Sequence, residues 1–181
     1  MDEKIVEKIS KIVQAERGWK ADEIKIREED SLNRGSCSFY VALSNARMLS
    51  YMPNYAVISG ETVIGIKDKD AVSKILNACG SDAPADWWAE IVKRYSQELG
   101  NGVVLTDENR YQNVIERIRD AKKEFAAPKF SEEAGGKTVS FIVLEGEAML
   151  VYFCKATRAK DGNVTVTKSQ PLETITQSQP N

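Results

Sequence analysis

The sequence predicts an α+β fold: two units, each a helix followed by an antiparallel meander, joined by a helical insert. Three observations carry this reading. Apolar residues recur at helical spacing in residues 5–13 and again in 111–118. Each of these runs is followed by short, β-branched and aromatic stretches separated by turn residues. Between them lies a segment whose apolar periodicity is helical and whose ends carry Gly and Pro. With 42% apolar residues the chain has enough material for a buried interior, which argues against disorder.

The first unit spans residues 1–67. Asp2 is placed to cap a helix whose inward positions are Ile5, Ile9, Ile12 and Val13, and Gly18 stops it. Residues 23–29 alternate with a period of two, as a half-buried strand does. Polar residues from Asp30 to Gly35 form a turn, and Ser36 to Leu43 is a strong strand. Tyr55–Ile58 and Thr62–Ile66 flank Ser59-Gly60, a hairpin signal.

The insert spans residues 68–107. Asp68 or Asp70 is expected to cap a helix carrying Val72, Ile75, Leu76 and Cys79, closed by Gly80. Pro84 opens a second helix with Trp87, Trp88, Ile91, Val92, Tyr95 and Leu99 as its apolar positions, closed by Gly100. Val103–Leu105 reads as a short strand.

The second unit spans residues 108–168. Asp107 is expected to cap a helix with Tyr111, Val114, Ile115 and Ile118 on one face. Lys129–Glu133, Thr138–Leu144 and Ala148–Ala156 follow as strands, with Gly135-Gly136 as a turn between the first two. Asp161-Gly162 signals a type I′ turn before Val164–Thr167. Residues 169–181 are polar, lack a pattern and are expected to form a flexible tail.

The two units show internal likeness. Lys25, Glu28 and Glu29 recur as Lys129, Glu132 and Glu133 at one constant offset. Ser38, Phe39 and Val41 recur as Ser140, Phe141 and Val143 at a second, which Gly60 and Gly162 keep. The alternative is that amphipathic hairpins share Ser, Val and aromatics by composition alone. The order helix-then-meander resembles that of cystatin-like folds. The resemblance implies an architecture only, because the inhibitory loop Gln-x-Val-x-Gly is absent and no binding residues carry over.

Composition limits the chemistry. The chain has no histidine, which removes Ser-His-Asp and Cys-His catalysis, histidine-bearing zinc sites and an imidazole pH switch. No nucleophile motif, phosphate loop or metal-ligand cluster is present, so no catalytic residue, cofactor or metal is assigned. A net charge of −2 makes nucleic acid an unfavoured partner. No apolar run reaches membrane-span length. The start Met1-Asp2-Glu3-Lys4 carries two acids where an export signal needs bases. A cytoplasmic protein is expected, the alternative being an exported one whose signal has been removed. Cys37, Cys79 and Cys154 are read as buried free thiols, the alternative being one disulfide.

Candidate sites have competing structural readings. Trp87 and Trp88, with Tyr95, are the partner-binding candidates, because indoles bury a large area with few torsions to freeze. The competing reading is a helix lying between two layers, whose apolar face must be wide. Asp86 and Glu90 lie side by side on one helix, where glycosidase acids flank a substrate from different elements. Arg110, Arg117, Arg119, Lys122 and Lys123 make one helix basic and read as a solvated face or an acidic-partner site. Asp68 and Asp70 match a fragment of a calcium loop without the rest of its pattern. Glu28-Glu29-Asp30 and Glu132-Glu133 would hold a composite metal only under duplication, and edge protection explains them equally well.

The expected function is a non-catalytic protein-binding or assembly module, with residues 81–99 as its recognition surface. One alternative is a small-molecule-binding protein or enzyme with a cleft between a sheet and the central helices, using Tyr40, Tyr51, Tyr95 or Tyr111. Another is an inhibitor or immunity-type protein.

Overall fold

The computed structural model describes residues 2–45, 52–99, 102–107, 111–121, 123–133, 136–146 and 150–172. Helix α1 (Glu3–Arg17) begins where the Asp2 carboxylate accepts the Lys4 N–H at 2.9 Å. It ends at Gly18, whose φ of 66° lets the chain turn out of the helix. Its Ile5, Ile9 and Val13 are buried against a four-stranded antiparallel meander, β1 (Ile24–Glu28), β2 (Cys37–Ser44), β3 (Asn54–Ile58) and β4 (Thr62–Gly65), paired in that order. Alternation along β2 sends Tyr40 and Ala42 toward α1, and Cys37 and Phe39 to the opposite face. Both faces are covered, which is why β2 reads as a continuous apolar run.

The opposite face packs on α2 (Ala71–Cys79) and α3 (Ala85–Tyr95). Beyond them lies a second antiparallel sheet of β5 (Gly102–Val104), β6 (Lys129–Glu133), β7 (Gly136–Glu145), β8 (Leu150–Ala159) and β9 (Val164–Lys168). β6 and β5 share one edge of β7, facing its first and last residues respectively. Val139, Phe141 and Val143 of β7 join the α2–α3 core, while Ile142 and Leu144 face α4 (Gln112–Asp120). The fold is therefore α+β in five layers: α1, first sheet, α2 with α3, second sheet, α4. The insert is the centre of the molecule, between the two sheets. Only α1 and α4 are outside.

Several local expectations are corrected. Cys37 and Cys79 are not free thiols: they form a disulfide with Cα atoms 6.1 Å apart, tying β2 to the end of α2, while Cys154 is free and buried. Neither Asp68 nor Asp70 caps α2 with its side chain; Asp70 holds the capping position with a left-handed φ of 58°. Tyr111, not Asp107, precedes α4. Helix α3 ends at Tyr95, so Leu99 is buried in the following loop. At Asp161-Gly162 only the glycine has positive φ, and its N–H donates to Ala159 O, so the turn is not type I′. Paired positive φ values occur at Ser59 and Gly60.

The order helix-then-meander appears twice, but the residue matches do not share a register. Lys25 faces Leu43, whereas Lys129 faces Ser140 and not Glu145, the residue corresponding to Leu43. With a side-chain period of two, this puts the two lysines on opposite faces of their sheets. Phe39 and Phe141 do share the inner face. The readings at Tyr51, Gly100, Glu108, Arg110, Lys122, Gly135, Ala148 and residues 173–181 lie outside the described residues.

Candidate functional site

Successive side chains on a helix diverge by about 100°, and α3 uses that divergence to bridge its two neighbours. Trp87 turns to the first sheet, donating its indole N–H to Leu32 O at 2.8 Å and meeting Phe39 edge-on at 5.9 Å. Trp88 turns to the second, meeting Phe130 edge-on at 5.3 Å, while its N–H reaches Gly80 O at 2.8 Å. Lys137 Nζ lies over Phe130, 3.9 Å from the ring centre. Trp87, Trp88 and Tyr95 are 7%, 0% and 2% exposed. The structure thus places all three candidate anchors in the interior, with Tyr95 also in the lining of a polar cleft. The wide apolar face of a helix between two layers accounts for them.

The carboxylates named from the sequence are tied into local structure. Asp86 accepts the Trp87 N–H at 2.8 Å. Glu90 accepts from Arg94 Nε at 2.6 Å and lies 3.3 Å from Lys93 Nζ. Burial pushes the Glu90 carboxyl up, but Lys93 and Arg94 outweigh it and hold it below the ordinary carboxylate value. Arg94 also bonds Asn54, and Glu29 lies between it and Arg27. Arg27, Glu29, Asn54, Lys93 and Arg94 border a cleft of about 220 Å³. Glu28 accepts from Asn33, and Asp68 accepts the Gly65 N–H at 2.6 Å. Among the described residues no group of three or more His, Cys, Asp or Glu could hold a metal ion.

Tyr40 and Tyr95 stay protonated. Burial raises the Tyr95 phenol well above its usual range, and burial with Glu28 raises that of Tyr40. Burial likewise pushes the Cys154 thiol up to about 12, which keeps it protonated and unreactive.

Two further concavities are lined by described residues. One is an apolar trough of about 390 Å³ on the outer face of the second sheet, where Ile142 and Phe153 lie beside Ala126. The other is a polar cleft of about 360 Å³ in which four segments meet: the 66–70 connector, the first turn of α2, the 95–98 exit of α3, and β9. Its walls are braced across the fold. Gln97 Nε2 donates to Ile66 O at 3.1 Å, Ser73 Oγ accepts the Val164 N–H at 3.0 Å, and the buried Ser96 hydroxyl donates to Glu98. Val164 and Val166 supply an apolar strip along one side. Asp68, Asp70 and Tyr95 of its lining were singled out in the sequence, whereas Ser73, Gln97 and Val166 share no motif and meet only when the layers stack. No family model, curated protein or solved structure matches this chain.

Proposed function

We propose that the chain is a non-catalytic binding module whose ligand enters the cleft between β9 and the 66–70 connector. The observation that supports it is the convergence of polar side chains from three separate segments on one opening beside the apolar strip of β9. Fixed hydrogen bonds across the cleft keep its walls in place before a ligand arrives, which lowers the ordering cost of binding. The hydroxyls of Ser73 and Ser96 are engaged in this bracing, and the chain has no imidazole to activate them. The recognition role expected of residues 81–99 thereby moves from the indoles to the exit of α3.

The Cys37–Cys79 disulfide favours residence in an oxidising compartment over the cytoplasm, since cytosolic thiols are kept reduced. Alkylation of the protein taken directly from its cells tests this: one reactive thiol after denaturation is expected, and three would refute it.

The binding role is tested by recording backbone amide shifts while adding a library of amino acids, dipeptides and sugars. Shifts gathered at residues 66–73, 95–98 and 164–166 are expected. A silent cleft, or shifts gathered at Phe153 and Ile142, would overturn the assignment.

A further inference from the structure

We infer that the cleft takes an extended polypeptide segment, which adds a strand to the open edge of β9; this rests on the cleft being the binding site. Among the described residues β9 ends its sheet and pairs only with β8. The Val164 N–H points away from β8, to Ser73 Oγ. In an antiparallel ladder alternate residues share this direction, so the N–H and C=O of Val166 and Lys168 also face outward. The Ser169 N–H, one residue on, points back to Phe153 O at 3.0 Å, as the alternation requires. Leu172 N–H then bonds Val151 O, so the chain stays beside β8 past the end of β9 and the edge is longer than the strand. This edge borders the cleft at Val166. A row of outward donors and acceptors is the template that an incoming strand completes.

The occupant's chemistry follows from the surroundings. Val164 and Val166 face inward, and Thr165 and Thr167 are exposed on the other side, which suits a segment of alternating apolar and polar residues. On the opposite wall Asp68 and Glu98 are held by hydrogen bonds within the chain. These donors are neutral and leave both charges in place, so Lys67 and Lys69 face Asp68, Asp70 and Glu98, a net negative rim that favours a basic flank. A second copy fits less well. Pairing two β9 strands about Val166 needs the Val164 N–H that Ser73 holds, and pairing about Lys168 sets two lysines opposite each other.

The test is selection of displayed random heptapeptides on the intact protein, followed by synthesis of a selected peptide. Methylating its backbone nitrogens at one set of alternate residues should weaken binding by about tenfold or more, and at the other set hardly at all, as expected when two backbone hydrogen bonds are lost. Val166→Pro removes an outward N–H without touching the β8 ladder, so it should weaken the same peptide by about tenfold with the fold retained. The methylated peptides keep the test decisive if that variant fails to fold. Failure to select any heptapeptide, or equal tolerance of both methylation patterns, overturns strand addition. So does a dimer of the free protein that Val166→Pro abolishes, which would make the second copy the occupant. If small probes still shift the cleft amides while no peptide binds, the cleft stands and strand addition alone falls.

Discussion

The two sheets share a plan but are fastened to the central helices differently. Each buries an inner face on α2 and α3 and an outer face on its own helix. The first sheet and its edge loop are bound by fixed links: the Cys37–Cys79 bond, the Trp87 N–H to Leu32 O, and the Arg94–Asn54 hydrogen bond. The second has no covalent link to them: Trp88 packs against Phe130 under Lys137, and hydrogen bonds from α2 join Asn77 to Gly162 and Arg158 and Ser73 to Val164. The wall of the cleft that includes β9 belongs to the sheet without a covalent link, tied to α2 by the Val164 N–H to Ser73, and the other three segments come from the disulfide-linked side or the central layer.

This contrast can be broken from either side. Trp88→Ala, which empties a wholly buried site between α3 and the second sheet, should cost about 3–5 kcal/mol in denaturant unfolding. Near-ultraviolet circular dichroism should show the loss of aromatic packing; a cost below about 1 kcal/mol would show that the second sheet does not depend on this contact. Replacing Cys37 and Cys79 together by Ser removes a link across 42 residues and should cost about 2–4 kcal/mol, read as a lower melting temperature. Equal melting of the double variant and the parent would mean that the first sheet does not depend on its covalent link.

Smaller changes sharpen the comparison. Lys137→Met keeps the stem but removes the charge over Phe130, with an expected loss of about 0.5–2 kcal/mol in urea titration. Glu90→Gln acts on the disulfide-linked side. Its carboxyl is held lower in the folded than in the unfolded chain, so its contribution is full above the ordinary carboxylate pKa and disappears as pH falls through the lowered folded value. The variant should lose about 0.2–1 kcal/mol at neutral pH and little at low pH, so its stability–pH curve should converge with the parent's in acid. A constant gap at all pH values would contradict this.

Much of the fold was legible because its signals are local. Asp2, Ile5, Ile9, Val13 and Gly18 define α1 within a few turns, and the alternation in 23–29 needs no tertiary information. What could not be read depends on stacking. A helix wedged between two sheets and a helix offering one indole to a partner have the same apolar periodicity, so Trp87 and Trp88 fitted both readings. The Cys37–Cys79 pair is separated by a hairpin and a helix, with nothing in its spacing to mark it. The cleft was the least accessible: Ser73, Gln97 and Val166 gain meaning only from the closing of two sheet edges around a common floor.

The central position of α2 and α3 also bears on how the protein is made. Synthesis delivers α1, the first sheet and both central helices well before β7 exists. During that interval the flank of α3 carrying Trp88 has no wall to lie against. A nascent chain in this state exposes an oily surface of the kind that folding helpers bind and that neighbouring chains stick to. Yield from the ribosome should therefore turn on how quickly the last third of the polypeptide follows, and slowed translation across residues 100–140 is the point at which this protein is most exposed to misassembly.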